Sequence, residues 1–490
     1  MSALTTQQSR SNNSRYLEGL YAPVDTEVEV EQRLTARVGR VPDDLSGVFV
    51  RNGSNPRFAP RGRYHWFDGD AMLHAVHFAD GAASYRNRYV RTVDFCEEEA
   101  AGEPLWTGIM ERPDFSRFPR VFKDTANTDL VWFNNELLAL WWLGGDPYRV
   151  RLPDLETCGI EDFGSTLTTK VSAHPKVDPA TGQLVFIDHD PVPPYLTVGT
   201  ADVVDGQARV SRCTPIELSG PRLQHDLALT PDWIVLFDFS FQWDMAAAAR
   251  GERARLMFVR DVPTRFGLLS RHDHDAPVRW FETDPCFMYH VVNAWQADDG
   301  TVHLVGCRST EPLDDDPLNT SQRRAPSLGM LRLETYLTEW VFDLNAGSLV
   351  ATQLSDTMGE FPRMDNRSFG TPFRYSYVQQ MAPLDTLAFD AVVRHDYASG
   401  REVEHRWPTG SFGGETVFCP RAGGTGAEDD GYLVTFVSDA ETGASSVHVV
   451  DAAHLDAEPV CVLDVPQRVP AGYHTWWVSA AELDAQRELA

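Results

Sequence analysis

Positive charge is scarce in this chain of 490 residues: Lys+Arg number 43 against 71 Asp+Glu, a formal charge of −28. Phosphate neutralisation needs a basic face, so this balance excludes nucleic acid as a partner. It also excludes a polybasic hold on anionic lipid. Only Lys123, Lys170 and Lys176 are lysines, which reflects coding bias and not function. Cysteine is sparse too. The seven cysteines are odd in number, scattered, and never spaced CxxC, so neither a zinc ribbon nor a disulfide framework is expected, and a reducing compartment fits best. No run reaches about 18 uninterrupted apolar residues, which leaves no transmembrane helix. The start, MSALTTQQSRSNNSRYLEG, has no apolar core of signal-peptide length. A soluble, cytoplasmic protein is expected. GxSxG, Walker A, HExxH and GxGxxG are all missing, so the familiar hydrolase, nucleotide and zincin chemistries have no foothold.

What is present is ordinary globular material, 42% hydrophobic and 23% charged, which is too apolar for a disordered acidic chain. Residues 1–18 are polar, rich in Ser, Asn and Gln, and are expected to form a mobile tail. No convincing linker follows, so 19–490 is read as one domain. Short β-prone runs recur around tight turns, as in AVHFADGAASYRNRYV, VVDGQARVSRC and WQADDGTVHLVGC. Asp-Gly between alternating runs is a hairpin signal. Helix candidates are few: Trp243 to Arg255, and the last segment from Ala480. So many hairpins suggest an all-β propeller or a large sandwich. No WD or kelch repeat decides between them, and the missing linkers give the propeller a modest edge.

The fifteen histidines are the informative residues. His272 and His274, in HDHD, read as a solvated loop. His74 and His77 lie on one strand but on opposite faces, so they cannot chelate together. His395, His405, His448 and His454 lie among polar residues and read as surface positions. His174, His225, His290 and His474 each lie beside a β-prone run. Ligands from separate blades can converge on a propeller axis, although a lone histidine beside a strand is more often a satisfied core residue.

The words around these histidines decide the matter. GVFVRNGSNPRF, YHWFDGDAMLHAVHF, the ANT of DTANTD, AHPKVDPATG, HDLALT, HVVNAW, EFPRMD and EDDGYLVTFV occur in the order found in the carotenoid cleavage oxygenase family, which the chain resembles from about residue 20 to 480. The resemblance implies a seven-bladed β-propeller, capped by loops and short helices over an axial iron site. It implies one Fe(II) held by His174, His225, His290 and His474. Four neutral imidazoles leave coordination positions free for O2. The implied activity is cleavage of one C=C bond of an apolar conjugated alkene to two carbonyl products. A weak peripheral membrane contact for substrate uptake is also expected, and no protein partner.

Relatives place glutamates behind three of the ligands, where a carboxylate fixes the ring's tautomer and angle. Glu360 matches the partner of His290, and Glu415 that of His474. The third position, behind His225, departs from the pattern: LLALWWLGGDPY carries Trp141 and Trp142 there, and an indole N–H cannot accept a hydrogen bond. FDGDAM also carries Ala71 where relatives usually have Gly. Stilbene and phenylpropenoid cleavers read a para-hydroxyl with a Tyr and a Lys. The matching positions here are Met110 and Trp141, both apolar. Met110, Trp141 and Trp142 are therefore expected to line a pocket that favours a carotenoid or apocarotenoid, the alternative being a stilbene or phenylpropenoid. An isomerohydrolase using the same iron without O2, and a non-catalytic binding platform, are the readings from other classes.

Overall fold

A computed structural model describes residues 15–253 and 255–489. The chain is predominantly β, as the recurrent hairpins predict. Two of the three Asp-Gly turns quoted above have the backbone that a two-residue hairpin with a right-handed twist demands, while Asp299-Gly300 lies in a longer loop between Gln296 and Val302. Asp80 and Gly81 sit at φ 51° and 67°, and Asp205 and Gly206 at 51° and 77°. They join Ala79 to Ala82 and Val204 to Gln207 in register.

The strands form successive antiparallel arrays. Asp129–Phe133, Glu136–Leu140, Tyr148–Arg151 and Glu156–Ile160 make one four-stranded sheet. Lys176–Val177 to Gln207–Glu217 make the next, and Ala228–Leu229, Trp233–Asp238, Thr264–Ser270 and Arg279–Thr283 a third. From Phe287–Gln296 onward most of the strands, with the early Thr35–Gly39, join in one long path. Within it the sixteen-residue strand Ser348–Arg363 pairs with Tyr336–Asp343 by its first part and with Tyr375–Met381 by its last. An early and a late strand meet in a separate five-stranded sheet. There Gly47–Arg51 pairs antiparallel with Thr475–Ser479, Val48 opposite Val478. No sheet closes on itself among the described residues.

Neighbouring arrays are joined through aromatic rings. Phe163 stacks on Phe186, with centroids 6.3 Å apart. Phe266, which meets Phe237 edge-on at 5.6 Å within its own sheet, reaches Trp340 of the next array at 5.3 Å. Fully buried aromatic side chains of this size contribute about 1.5–3 kcal/mol each by area, and the edge-on pairs somewhat more.

Helix is confined to short pieces. Ala480–Leu489 lies where expected, the middle candidate shrinks to Met245–Ala249, and Val93–Ala101 was not read from the sequence. Its cap is nonetheless sequence-encoded: Thr92 Oγ1 accepts the Phe95 N–H at 3.0 Å, and Gly102 ends the helix at φ 71°. No described helix is long and apolar enough to cross a membrane. Of the segment expected to be a tail, residues 1–14 lie outside the described residues. Tyr16, by contrast, is buried, its hydroxyl donating to the Ser327 carbonyl at 2.8 Å.

The histidines read as surface positions need correction. His454 is exposed, but His395, His405 and His448 are buried. Strand alternation turns His395 and His405 inward between polar neighbours, while His448 lies on a strand buried on both faces. Inside, His405 Nδ1 meets the Leu455 carbonyl at 3.0 Å and His448 Nε2 the Ser446 hydroxyl at 3.2 Å. His272 and His274 are exposed. His74 is buried against the Tyr85 hydroxyl at 2.7 Å, while His77 faces Glu31 on the other side.

Candidate metal centre

One strand and three segments just before strands bring His174, His225, His290 and His474 to one point. Each offers one ring nitrogen, and these atoms lie within 4.8 Å of one another. His225 Nε2 is 3.2 Å from the Nε2 of both His174 and His290. All four rings are buried. His290 is within the strand Phe287–Gln296, and His474 directly precedes Thr475–Ser479. His174 and His225 stand in loops just before short strands. His174 holds φ at 65° although it is not glycine, a left-handed backbone that costs of order 1–3 kcal/mol and marks functional sites. Its N–H donates to Asp129 Oδ2 at 3.2 Å, which fastens the loop in that shape.

Carboxylates stand behind three of the rings. Glu360 Oε2 is 2.5 Å from His290 Nδ1, and Glu415 Oε1 is 3.0 Å from His474 Nδ1. The third is Asp129, whose Oδ2 is 3.1 Å from His174 Nδ1. The sequence reading expected a third support behind His225 and did not find Asp129. His225 makes no ion pair with a carboxylate among the described residues; Trp142 is its neighbour instead, with ring centroids 6.4 Å apart.

The electrostatics follow from burial. His174 and His225 are held well below the usual histidine range, first by burial and then by the neighbouring imidazoles. His474 is lowered by burial, with Glu415 opposing. Glu415 is itself buried, which works against its charge, but Arg363 and His474 outweigh this and hold its carboxyl below the ordinary value. Arg363 Nη2 donates to Glu415 Oε2 at 2.8 Å, and Thr475 donates to the same oxygen from both N and Oγ1. Asp226, next to His225, accepts the Val291 N–H at 2.9 Å and the Lys176 ammonium at 2.6 Å. It thereby ties three ligand-bearing segments together. Asp129, Asp226, Lys176 and Arg363 were not singled out from the sequence. Asp129 closes the DTANTD word, but nothing in the chain signals a contact 45 residues away.

These donors fit a metal ion. A ring whose Nδ1–H is taken by a carboxylate keeps a bare lone pair on Nε2. Lone pairs converging at 3.2 Å in a buried site repel one another unless a cation lies between them. Four neutral nitrogens without an anionic ligand suit a divalent transition metal.

Two cavities flank the cluster. One touches His225 and is walled by Phe67, Met110, Trp142, Leu223, Tyr289 and Leu331 among others. The second, on the side of His174, His290 and His474, is lined by the charged residues Asp129, Lys176, Asp226, Arg363 and Glu415. Of the residues expected to line the substrate pocket, Met110 and Trp142 are in the first cavity. The Trp141 side belongs to a neighbouring cavity with Asp68, Asp70 and Lys123. Ala71 is fully buried, and nothing in the structure explains its replacing Gly.

Comparison with known proteins agrees in extent. The family model described as retinal pigment epithelial membrane protein matches residues 21–479. The carotenoid 9,10(9′,10′)-cleavage dioxygenase 1 of Pisum sativum is 34% identical, the alignment covering 97% of this chain and 92% of that protein. The carotenoid cleavage oxygenase of Mycobacterium tuberculosis is 30% identical over 97% and 99%. Among solved structures, the Pseudomonas brassicacearum lignostilbene dioxygenase superposes with a TM-score of 0.83 at 24% identity, covering 96% of this chain and 99% of that one. This likeness concerns the fold. A cobalt-substituted Synechocystis apocarotenoid oxygenase gives 0.80 at 25% identity, covering 94% and 97%. With the family's pattern running nearly end to end and its four histidines gathered at one buried point, the chain belongs to the carotenoid cleavage oxygenase family of oxygenase enzymes.

Proposed function

We propose that this protein is an Fe(II)-dependent dioxygenase that cleaves one C=C bond of a carotenoid or apocarotenoid with O2. Both oxygen atoms enter the products, which are two carbonyl compounds. The observation that carries this reading is the convergence of four buried imidazole nitrogens, three of them backed by carboxylates. His174, His225, His290 and His474 would hold the iron, which when bound supplies the redox-active centre where O2 and alkene react. Asp129, Glu360 and Glu415 hold three rings by Nδ1, which fixes their tautomer and aims Nε2 inward. The apolar wall beside His225 places the alkene against the cluster and keeps bulk water away. That wall contains no lysine, so a phenolate would find no cation there, which favours a polyene over a stilbene.

The same reading makes 19–490 one domain, a seven-bladed β-propeller capped by loops and short helices. Its support is the run of four-stranded antiparallel units and the arrival of the four ligands from separate arrays. Anaerobic Fe(II) loading followed by exposure to O2, with a panel of carotenoids, apocarotenals and stilbenes, tests the function. One O2 consumed per alkene cleaved, with two carbonyl fragments by mass spectrometry, is expected. Turnover without O2 uptake would make the protein an isomerase, and absence of stoichiometric iron a binding platform.

A further inference from the structure

The cavity beside His225 is apolar apart from a few side-chain atoms, and most of those are accounted for. His65 Nδ1 accepts the Phe67 N–H at 3.1 Å, and His225 Nε2 belongs to the cluster. Two groups are not. The Trp142 Nε1–H and the Tyr289 hydroxyl are both buried and have no hydrogen-bond partner. The residues are 4% and 7% exposed, so bulk water does not serve them. A buried donor left unpaired costs about 1–3 kcal/mol, and here two such donors stand in the wall of one cavity. Both flank the same ligand: the rings of Tyr289 and Trp142 lie 5.1 Å and 6.4 Å from that of His225. An indole N–H can only donate, so what it awaits is an acceptor. The surrounding Leu223 and Leu331 offer none, and the Met110 thioether only a weak one.

We propose that Trp142 and Tyr289 determine specificity by donating hydrogen bonds to an oxygen of the substrate. The favoured substrate is then a conjugated alkene with a carbonyl or hydroxyl oxygen close to the bond that is cut, not a plain hydrocarbon. This inference rests on the dioxygenase reading and narrows it. It also gives a role to Trp142, which stands where a carboxylate would otherwise support His225. The donors lose their unmet cost when the oxygen arrives, and a hydrocarbon leaves them unpaired.

The test compares a polyene aldehyde, the matching alcohol and a hydrocarbon of equal chain length. Binding is read from the absorption of the bound polyene, and kcat/KM from the Fe(II)-loaded enzyme. The aldehyde or alcohol should bind at least about tenfold tighter than the hydrocarbon. Tyr289→Phe removes one oxygen atom and should cut that preference about tenfold, or about 1.4 kcal/mol. Trp142→Phe should do the same; if it fails to fold, Tyr289→Phe decides alone. A preference unmoved by Tyr289→Phe, or a wild type that favours the hydrocarbon, overturns the proposal. The two readings fail separately. Discrimination in binding without O2-dependent cleavage removes the dioxygenase and keeps the donor pair. Cleavage of all three alkenes with no discrimination does the reverse.

Discussion

Replacing Glu360 by Gln isolates what a carboxylate behind a ligand contributes. Glu360 Oε2 faces His290 Nδ1 at 2.5 Å and also accepts the Phe361 N–H at 2.7 Å, whereas Oε1 is buried with no partner. A glutamine of the same shape has one acceptor oxygen. Aimed at His290, it turns a charge-assisted bond into a neutral one, roughly half as strong, and puts its NH2 where Oε1 has no neighbour to receive a hydrogen. Turned the other way, it sets an N–H against the imidazole N–H. Either arrangement makes the ring a poorer donor and a looser one. The expected loss in Fe(II) affinity is about 10–100-fold, which is about 1.4–2.8 kcal/mol at about 1.36 kcal/mol per tenfold. Anaerobic competition against a chelator measures it, with circular dichroism showing that the variant is folded. Glu339→Gln is the control, because Glu339 makes a similar pair with His303 at 2.9 Å in a half-buried position outside the cluster. Its affinity should match wild type. A folded Glu360→Gln protein that binds Fe(II) as tightly as wild type would refute the reasoning.

Alanine at His174, His225, His290 or His474 should abolish both stoichiometric iron and activity, while His272→Ala should do neither; metal analysis and O2 uptake check this, and full activity in His290→Ala would remove the assignment. His74 bears on pH. Burial, and then Arg51 and Arg468, hold it well below its ordinary value of 6.5. It therefore stays neutral in the fold while the unfolded chain takes up a proton below about 6.5, and its contribution, present above that pH, is lost as pH falls, at up to about 1.4 kcal/mol per pH unit. Urea unfolding from pH 7 to 5 should show a shallower decline in His74→Gln than in wild type, and parallel declines would count against it. Met110→Tyr with Trp141→Lys should cleave a 4-hydroxystilbene no better than Met110→Tyr alone, by kcat/KM, because Trp141 lines the cavity of Asp68 and Asp70 and not the one beside His225.

The parts of the site that were legible in the sequence were those carried by local words. His174, His225, His290 and His474 each sit in a short motif, and so do Glu360 and Glu415. Hairpins such as Asp80-Gly81 were legible because their backbone demands particular residues. Asp129 was not legible, because its role depends on the fold bringing a strand end beside a loop far along the chain. His395 and His405 misled for a related reason: polar neighbours on a strand belong to the opposite face and say nothing of the residue between them, whereas the strand of His448 is buried on both faces. Trp141 and Trp142 are adjacent in sequence, yet they line different cavities. A motif assigns both to a pocket; only the backbone shows which of them enters it.

The pairing of Thr475–Ser479 with Gly47–Arg51 has a consequence for how the protein is made. The strand that joins the C-terminal end to the N-terminal sheet directly follows His474, so the same step that closes the chain delivers the fourth imidazole. During synthesis His174, His225 and His290 emerge long before the segment that holds His474. A nascent or prematurely terminated chain can therefore offer three nitrogens and an open edge at Gly47–Arg51, but never the finished site. Metal acquisition is in this way made a checkpoint on late synthesis: only a chain made as far as Ser479 can both seal its exposed strand and fill its centre.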